Sequence, residues 1–362
     1  MERKVTFLRR AVVLAVAVAL LVAAGASASS VASSRKASPS ATPKPHAATA
    51  KQWAKIVAAA KKEGAVTLYT SQNPAFLADT AKAFKDKYGI DVTINRQIDS
   101  TLTTQVASEE SAHKLNDDVL VIASLPIVYG MQKPENQWIA PAVGPALYAK
   151  GYDRTTFGGP QNANMVGVAL LGIAWNTGLY PAGLKDYTDL LNPALKGKIG
   201  VVSPGAPSLV DFYLWLEQNY GKSFISKLAD QNPKIYASSL PMTQAVVSGE
   251  ISAGQFIATS ALDLKAQGAP ITFKLVSHNG STWNAPWWGM IMKGAPHPNA
   301  AQLFMNYLVT KEGQQTSQHH LGAVLKGVPD TYYVTPRKQS LKDLTPAKVT
   351  AYQTYWNGLF HK

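Results

Sequence analysis

The chain has 362 residues, no cysteine and a formal charge of +13 at neutral pH. The lack of cysteine excludes disulfides, structural thiolate metal sites and a cysteine-borne lipid anchor, so stability must come from an apolar core that a chain of this length can bury, most simply as two domains. Nearly half of the positive excess sits in the first fifty residues, where Arg3, Lys4, Arg9, Arg10, Arg35, Lys36 and Lys44 face Glu2 alone; what remains forms no basic run or stripe, which argues against a nucleic-acid footprint.

Arg3, Lys4, Arg9 and Arg10 precede an apolar run from Ala11 to Ala24, and Ala26-Ser27-Ala28 follows. This is the layout of a secretory signal peptide over residues 1–28, cleaved after Ala28, and the run is short beside the about 20 residues that span a bilayer. No other segment has the length and apolarity of a membrane span. Residues 29–50, made largely of Ser, Ala, Pro and Lys, read as a flexible linker.

From Gln52 onward helix and strand patterns alternate. Trp53, Ile56, Val57 and Ala60 recur at helical spacing before Gly64, and Val66–Thr70 is a short apolar strand. Pro74–Tyr88 predicts a helix stopped by Gly89, with a strand over Asp91–Ile94, a helix from Asp99 to Ala112 and a strand over Asp118–Ala123. The same grammar returns in Lys198–Val202 (strand), Pro207–Asn219 (helix), Lys234–Tyr236 (strand), Pro241–Ser248 (helix) and Ile251–Phe256 (strand). Alternation of this kind implies parallel sheets covered by helices on both faces. Met165–Trp175 is too long and apolar for one lobe's short strand, and Trp287–Met292 returns the chain before a helix near Pro298; both are candidates for strands crossing between two α/β lobes.

The strings Ala60-Lys61-Lys62-Glu63-Gly64 with Leu68-Tyr69-Thr70-Ser71, Gly172–Asn176, Leu190–Ile199, Val246–Glu250, Lys293–Pro298 with Ala300, Ala301 and Phe304, and Glu312-Gly313-Gln314 are jointly specific. Over Ala59–Lys326 the chain resembles the family 1 extracellular solute-binding proteins of ABC importers, especially the branch that binds ferric iron, thiamine and phosphonates. The resemblance implies a periplasmic-binding-protein-like α/β fold of type II, with two lobes and two interlobe crossover strands that close on a ligand. The expected division is residues 51–170 with 285–330 for lobe 1, 171–284 for lobe 2 and 331–362 for a C-terminal helical tail. Expected partners are a small-molecule ligand and an ABC permease membrane subunit, for a monomer secreted across the plasma membrane to the periplasm or cell surface.

No catalytic residue and no cofactor is expected. Gly221-Lys222-Ser223 resembles the end of a phosphate-binding loop, but Leu216 stands where its leading glycine belongs, and neither a dinucleotide glycine fingerprint nor a Gly-x-Ser-x-Gly elbow occurs. An α/β hydrolase or transferase of unrecognised type is the alternative from another class, and an adhesive or sensory ectodomain is a third. No metal site is expected either: His319-His320 is the densest histidine cluster, but adjacent helical residues point about 100° apart, so the pair reads as helix-end residues.

Ligands of open α/β sheets gather at the carboxyl ends of strands. That rule selects Ser71 and Gln72 after the first strand, Ser124 after the third, Ser203 and Ser208 around the next helix start, and Ser238 and Ser239 just before the helix placed at Pro241. Hydroxyls and unpaired N–H groups at helix starts suit an oxyanion or a neutral hydrogen-bonding solute. Trp283 and Trp287 supply aromatic walls on the return crossing, Tyr69 points inward if its strand alternates that way, and Thr259 follows the last strand of the second lobe. In iron-binding relatives the strand after the Val246–Glu250 match leads into a tandem tyrosine pair whose phenolates hold the metal, whereas here Ala258-Thr259-Ser260 follows Ile257. Bare ferric iron is therefore not the expected cargo; Tyr332-Tyr333 lies far downstream, and a ferric-iron complex bound without that pair stays an alternative.

Overall fold

The computed structural model describes residues 46–361, Pro134 and Gln161 excepted, so the expected signal peptide and most of the expected linker lie outside the described residues. Thr49 and Ala50, placed by expectation in the linker, belong to the start of a helix. Thr49 and Gln52 form a reciprocal capping box that starts helix α1 (Ala50–Glu63), and Gly64, at φ 70°, ends it.

The chain then alternates β1 (Ala65–Thr70), α2 (Pro74–Tyr88), β2 (Asp91–Arg96), α3 (Asp99–Ser111), β3 (Val119–Ile122), α4 (Leu125–Met131), β4 (Ile139–Ala140) and α5 (Arg154–Phe157). The long strand β5 (Asn164–Asn176) leads to β6 (Ile199–Val202), α6 (Pro207–Tyr220), α7 (Ser223–Asp230), β7 (Lys234–Tyr236), α8 (Ser239–Ser248), β8 (Ala253–Ala258), α9 (Ala261–Ala266) and β9 (Ile271–Lys274). Strand β10 (Asn284–Met292), α10 (Pro298–Leu308), α11 (Lys311–Ser317) and α12 (Pro346–Phe360) complete it.

Two parallel triplets, β2-β1-β3 and β7-β6-β8, form the centres of two sheets. Both are joined through antiparallel strands, which the expectation of parallel sheets did not include. β10 runs antiparallel to β3 and to the first half of β5, while the second half of β5 runs antiparallel to β8 and β9. The hydrogen-bonded strand path is therefore continuous, β2-β1-β3-β10-β5-β8-β6-β7, yet it holds two separate hydrophobic cores, one around each triplet. This is the two-lobed α/β architecture, with β5 and β10 as the crossing strands. Gly172 marks the point where β5 changes partners: a Cβ there would lie 2.2 Å from the Lys274 carbonyl oxygen, so only glycine lets β9 approach.

Among the boundaries that differ from the sequence pattern, two have a local cause. Helix α8 begins at Ser239 with Ser238 as its N-cap, two residues before the expected start at Pro241. Strand β8 begins at Ala253 and not at Ile251, because Gly249, in the left-handed region at φ 79°, ends α8 and a turn follows whose Ile251 and Ser252 N–H groups bond to the Ala245 and Lys198 carbonyls.

The C-terminal segment provides a third passage between the cores. Gly322 bridges to Val168 on β5, Gln339 accepts from the Leu125 N–H and donates to the Ala123 carbonyl, and Arg337 makes a two-toothed ion pair with Asp211 on α6. Helix α12 then packs on the second core through Trp356, which is fully buried and stacked on Phe360 with centroids 4.2 Å apart.

Two adjacent acids before β3 have opposite fates. Asp118 accepts from the Thr67 N–H (2.7 Å), the His297 N–H (2.6 Å) and the His297 ring (2.9 Å), which ties β1 to the start of α10. Asp117 is equally buried, but neither carboxylate oxygen has a hydrogen-bond partner among the described residues. Burial, reinforced by the nearby Glu109 charge, pushes its pKa up to about 7. A carboxyl whose folded pKa exceeds its unfolded value of about 3.9 stabilises the fold only while protonated, and the stability is lost as pH rises toward 7. Urea unfolding at pH 5 and pH 8 should show the native chain weakening over this interval. Asp117→Asn should flatten that slope and be the more stable chain at pH 8, by an amount on the order of a few kcal/mol.

Candidate functional site

A cavity of about 630 Å³ lies between the two sheets. Its walls come from the residues that follow strand ends: Ser71 and Gln72 after β1, Ile98 and Asp99 after β2, Ala123 after β3, Ala206 and Ser208 after β6, Ser238 and Ser239 after β7, and Ser260 after β8. This is the crevice at the carboxyl ends of strands where α/β sheets collect ligands. Phe76, Phe256, Trp283 and Trp287 form an apolar band across it.

Buried Asp99 organises the floor. Its carboxylate accepts from Ser71 Oγ, from the Ala123 N–H (3.2 Å) and from Ser124 Oγ (2.6 Å), and Ser208 Oγ lies 3.4 Å away. Ser124 Oγ in turn accepts from the Ser208 N–H (3.2 Å), which occupies a free donor of the first turn of α6. Donors from both lobes thus meet at one carboxylate, and Ser100 adds a second tie by donating to the Gly205 carbonyl (2.9 Å). Pairing of this density is how a buried charge is retained without loss of stability.

Elsewhere the wall leaves donors unpaired. Arg96, at the end of β2, contacts Ser238 Oγ through one terminal nitrogen (3.3 Å), while its Nε is buried and has no partner among the described residues. Burial lowers the pKa of this guanidinium, and the Asp99 charge opposes the shift. Trp287 Nε1 is likewise buried and unpartnered. The N-cap of α8, Ser238, makes no side-chain capping bond among the described residues, and Ser238, Ser239 and Leu240 at that helix start line the cavity with Arg96. A register shift between Trp287 and Trp288 in the β5–β10 ladder directs the two indoles differently. Trp287 packs against both cores and lines the cavity, whereas Trp288 belongs to the first core.

Of the residues selected from the sequence, Ser71, Gln72, Ser208, Ser238, Ser239, Trp283 and Trp287 line this one cavity. Four do not. Tyr69 turns onto α3, where its hydroxyl donates to Glu109 (2.9 Å) and accepts from Gln105 (2.7 Å); burial first, then the Glu109 carboxylate, push its pKa up to about 12. Ser124 lies behind the wall, bound to Asp99. Ser203 is tied through its N–H to the Tyr236 carbonyl, which continues the β6–β7 ladder, and it is not among the residues that line the cavity. Thr259 is buried with its N–H on the Leu170 carbonyl. Asp99 and Arg96 were missed, since one reads as an ordinary helix-start acid and the other as an ordinary strand-end base. Asp263 and His319 also line the cavity. Among the described residues no tyrosine lines it, and Tyr332 and Tyr333 are exposed.

Two α/β lobes joined by crossing strands, with a polar and aromatic crevice between them, define a periplasmic-binding-protein-like molecule. Residues 66–320 match the model of the bacterial extracellular solute-binding protein family, and the chain belongs to that family. It is the solute-binding component of an ABC uptake transporter. Proteins of this family are extracellular or periplasmic, act as binding proteins and not enzymes, and deliver small ligands to ABC permeases. Among the described residues no helix is long and apolar enough to cross a membrane.

Solved structures agree on the fold. An ABC-transporter substrate-binding protein of Agrobacterium tumefaciens superposes with a TM-score of 0.70 at 15% identity, covering 84% of this chain and 97% of that one. The periplasmic binding protein AfuA of Actinobacillus pleuropneumoniae, with fructose-6-phosphate bound, gives 0.66 at 18% identity, with 82% and 99% covered. Iron-bound HitA of Pseudomonas aeruginosa gives 0.62 at 21% identity, with 82% and 99% covered.

Asp99→Ala should lower the unfolding free energy by about 3 kcal/mol, because it strands the Ala123 N–H and the Ser71 and Ser124 hydroxyls. Ser124→Ala, which removes one donor of several, should cost about 1 kcal/mol. Denaturant titration of the two variants checks that ratio.

Proposed function

We propose that the cargo is a small organic anion, held by its acceptor group at Arg96 and the first turn of α8 while its body lies against Phe76, Phe256 and Trp287. The observation that carries this reading is the pair of buried donors without a partner among the described residues, Arg96 Nε and Trp287 Nε1, lining one cavity with the start of α8. Buried polar groups of a folded protein are almost always paired, so donors left open in a crevice are supplied by what enters it. The shortage is of acceptors and not of donors, which fits an anionic oxygen ligand better than a cation or a neutral sugar.

On this reading the chain turns nothing over. It works as a secreted monomer: lobe 1, residues 51–170 with 285–330, and lobe 2, residues 171–284, close about β5 and β10, and the closed form is presented to a permease. Helix α12 travels with lobe 2, on whose core Trp356 packs, while Gln339 before it stays tied to lobe 1. Bare ferric iron does not suit the site as a cargo held by a tyrosine pair, because no tyrosine is among the lining residues and Ser260 offers only a neutral oxygen.

A thermal-shift screen of organic phosphates, phosphonates and carboxylates should give a concentration-dependent rise in melting temperature for at least one class. Arg96→Ala should weaken that ligand by about a hundredfold, since a desolvated charged donor is lost. Selective stabilisation by amines or neutral sugars, unaffected by Arg96→Ala, would sink the reading. In a parallel titration, chelated ferric iron should produce no tyrosinate charge-transfer band.

A further inference from the structure

We propose that Asp263, His319 and His320 form a binding site for a borderline divalent cation of the zinc type, and that the cation ties the two lobes together at the half-exposed edge of the cleft. Asp263 lies on α9, which follows β8 of the second sheet, whereas the histidines follow α11, which packs on α2 of the first lobe. The two sides of the cluster therefore come from opposite lobes.

The geometry suits a shared ion. Asp263 Oδ1 is 3.0 Å from His320 Nδ1 and 3.5 Å from His319 Nδ1, and the ligand atoms of all three residues lie within 4.8 Å of one another. Two ligands bound at zinc distances with tetrahedral angles sit about 3.3 Å apart, close to both spacings. His320 Nδ1 is buried and, despite its nearness to the carboxylate, makes no hydrogen bond among the described residues. With the proton on Nε2, that nitrogen presents a lone pair to an ion between the three groups.

The expectation that adjacent histidines diverge rested on helical geometry, and the chain is not helical here. Helix α11 ends at Ser317, and His320 takes a left-handed backbone at φ 55°, held by its N–H on the Asp330 carbonyl (2.7 Å). The turn stacks the two imidazoles with centroids 4.0 Å apart and 28° between planes, so that both Nδ1 atoms approach one carboxylate. Two imidazoles and one carboxylate favour zinc-type cations over calcium or magnesium, which take oxygen sets. Asp263 and His319 also line the cavity, so the remaining coordination positions face the space where a solute binds. The site stands whether or not the solute is the organic anion proposed above.

The test uses untagged protein freed of metal with a chelator and titrated with Zn2+ by calorimetry in the absence of any solute. The expected result is one ion per chain with a dissociation constant on the order of 1 µM or tighter. Asp263→Asn on one lobe and His320→Ala on the other should each weaken binding by more than about tenfold, whereas His113→Ala, at the far end of α3, should not. Co2+ should give visible d–d bands in the native chain that both cluster variants lose. Metal-free melting curves confirm that the variants fold. Absence of saturable Zn2+ binding overturns the site, and full retention of affinity in Asp263→Asn overturns the bridge between lobes.

Discussion

Everything in this molecule depends on β5 belonging to two sheets at once. Its first half completes the sheet of the first core and its second half completes that of the other, so its thirteen residues are buried almost throughout. A buried strand must have every backbone group paired, and this one draws partners from β10, β8, β9 and the Gly322 bridge. The requirement explains the composition of the segment, with its unbroken apolar run from Met165 to Leu171 and glycines at 167 and 172, and it explains the antiparallel sense of both crossings. A chain that leaves one lobe and returns beside itself runs in opposite directions on the two passages, whatever the direction of the strands inside each lobe.

The crevice that results is polar in two different ways. At Asp99 the polar groups satisfy one another, and Ser71, Ala123, Ser124 and Ser208 converge on a single carboxylate. At Arg96, Trp287 and the start of α8 they do not. A paired network rigidifies, and a half-paired one is costly until something completes it. The contrast separates scaffold from recognition surface within one cavity, and it assigns to the scaffold several serines whose position alone would have made them ligand contacts.

Much of the fold was legible because its rules are local. Alternating helix and strand, Gly64 and Gly89 as stops, and the excess length of Met165–Trp175 each report on a few neighbouring residues, and the observed elements begin and end close to those marks. The same locality explains the failures. Ser238 caps α8 earlier than the proline signal suggested, and Gly249 pushes β8 two residues downstream. The carboxyl-end rule located the crevice but could not say which side chains face it, since Tyr69 is diverted by Gln105 and Glu109, residues a whole helix away in sequence. Asp99 and Gln339 were invisible for a related reason: each matters through partners more than twenty residues distant, and nothing beside them in the chain marks that role.

The C-terminal passage restricts how the lobes can move. Arg337 is bound to Asp211 of the second lobe and its N–H to Asn284 at the head of β10, while Gln339, two residues on, grips Ala123 and Leu125 of the first lobe. Two residues span at most about 7 Å, so these points on the opposing lobes cannot part by much more than side-chain reach. β5 and β10 pair at the same level, Leu170 against Asn284. Three passages pinned this closely leave rotation as the available motion, with the axis near Asn284 and the Asp99 network beside it, held through Ala123. A contact beside that axis that survives the rotation favours neither form, since a bond shifts the open–closed balance only by the part of its free energy that opening removes. The bond between Asp263 on α9 and the turn after α11 joins opposite lobes, so whatever of it opening breaks favours the closed form.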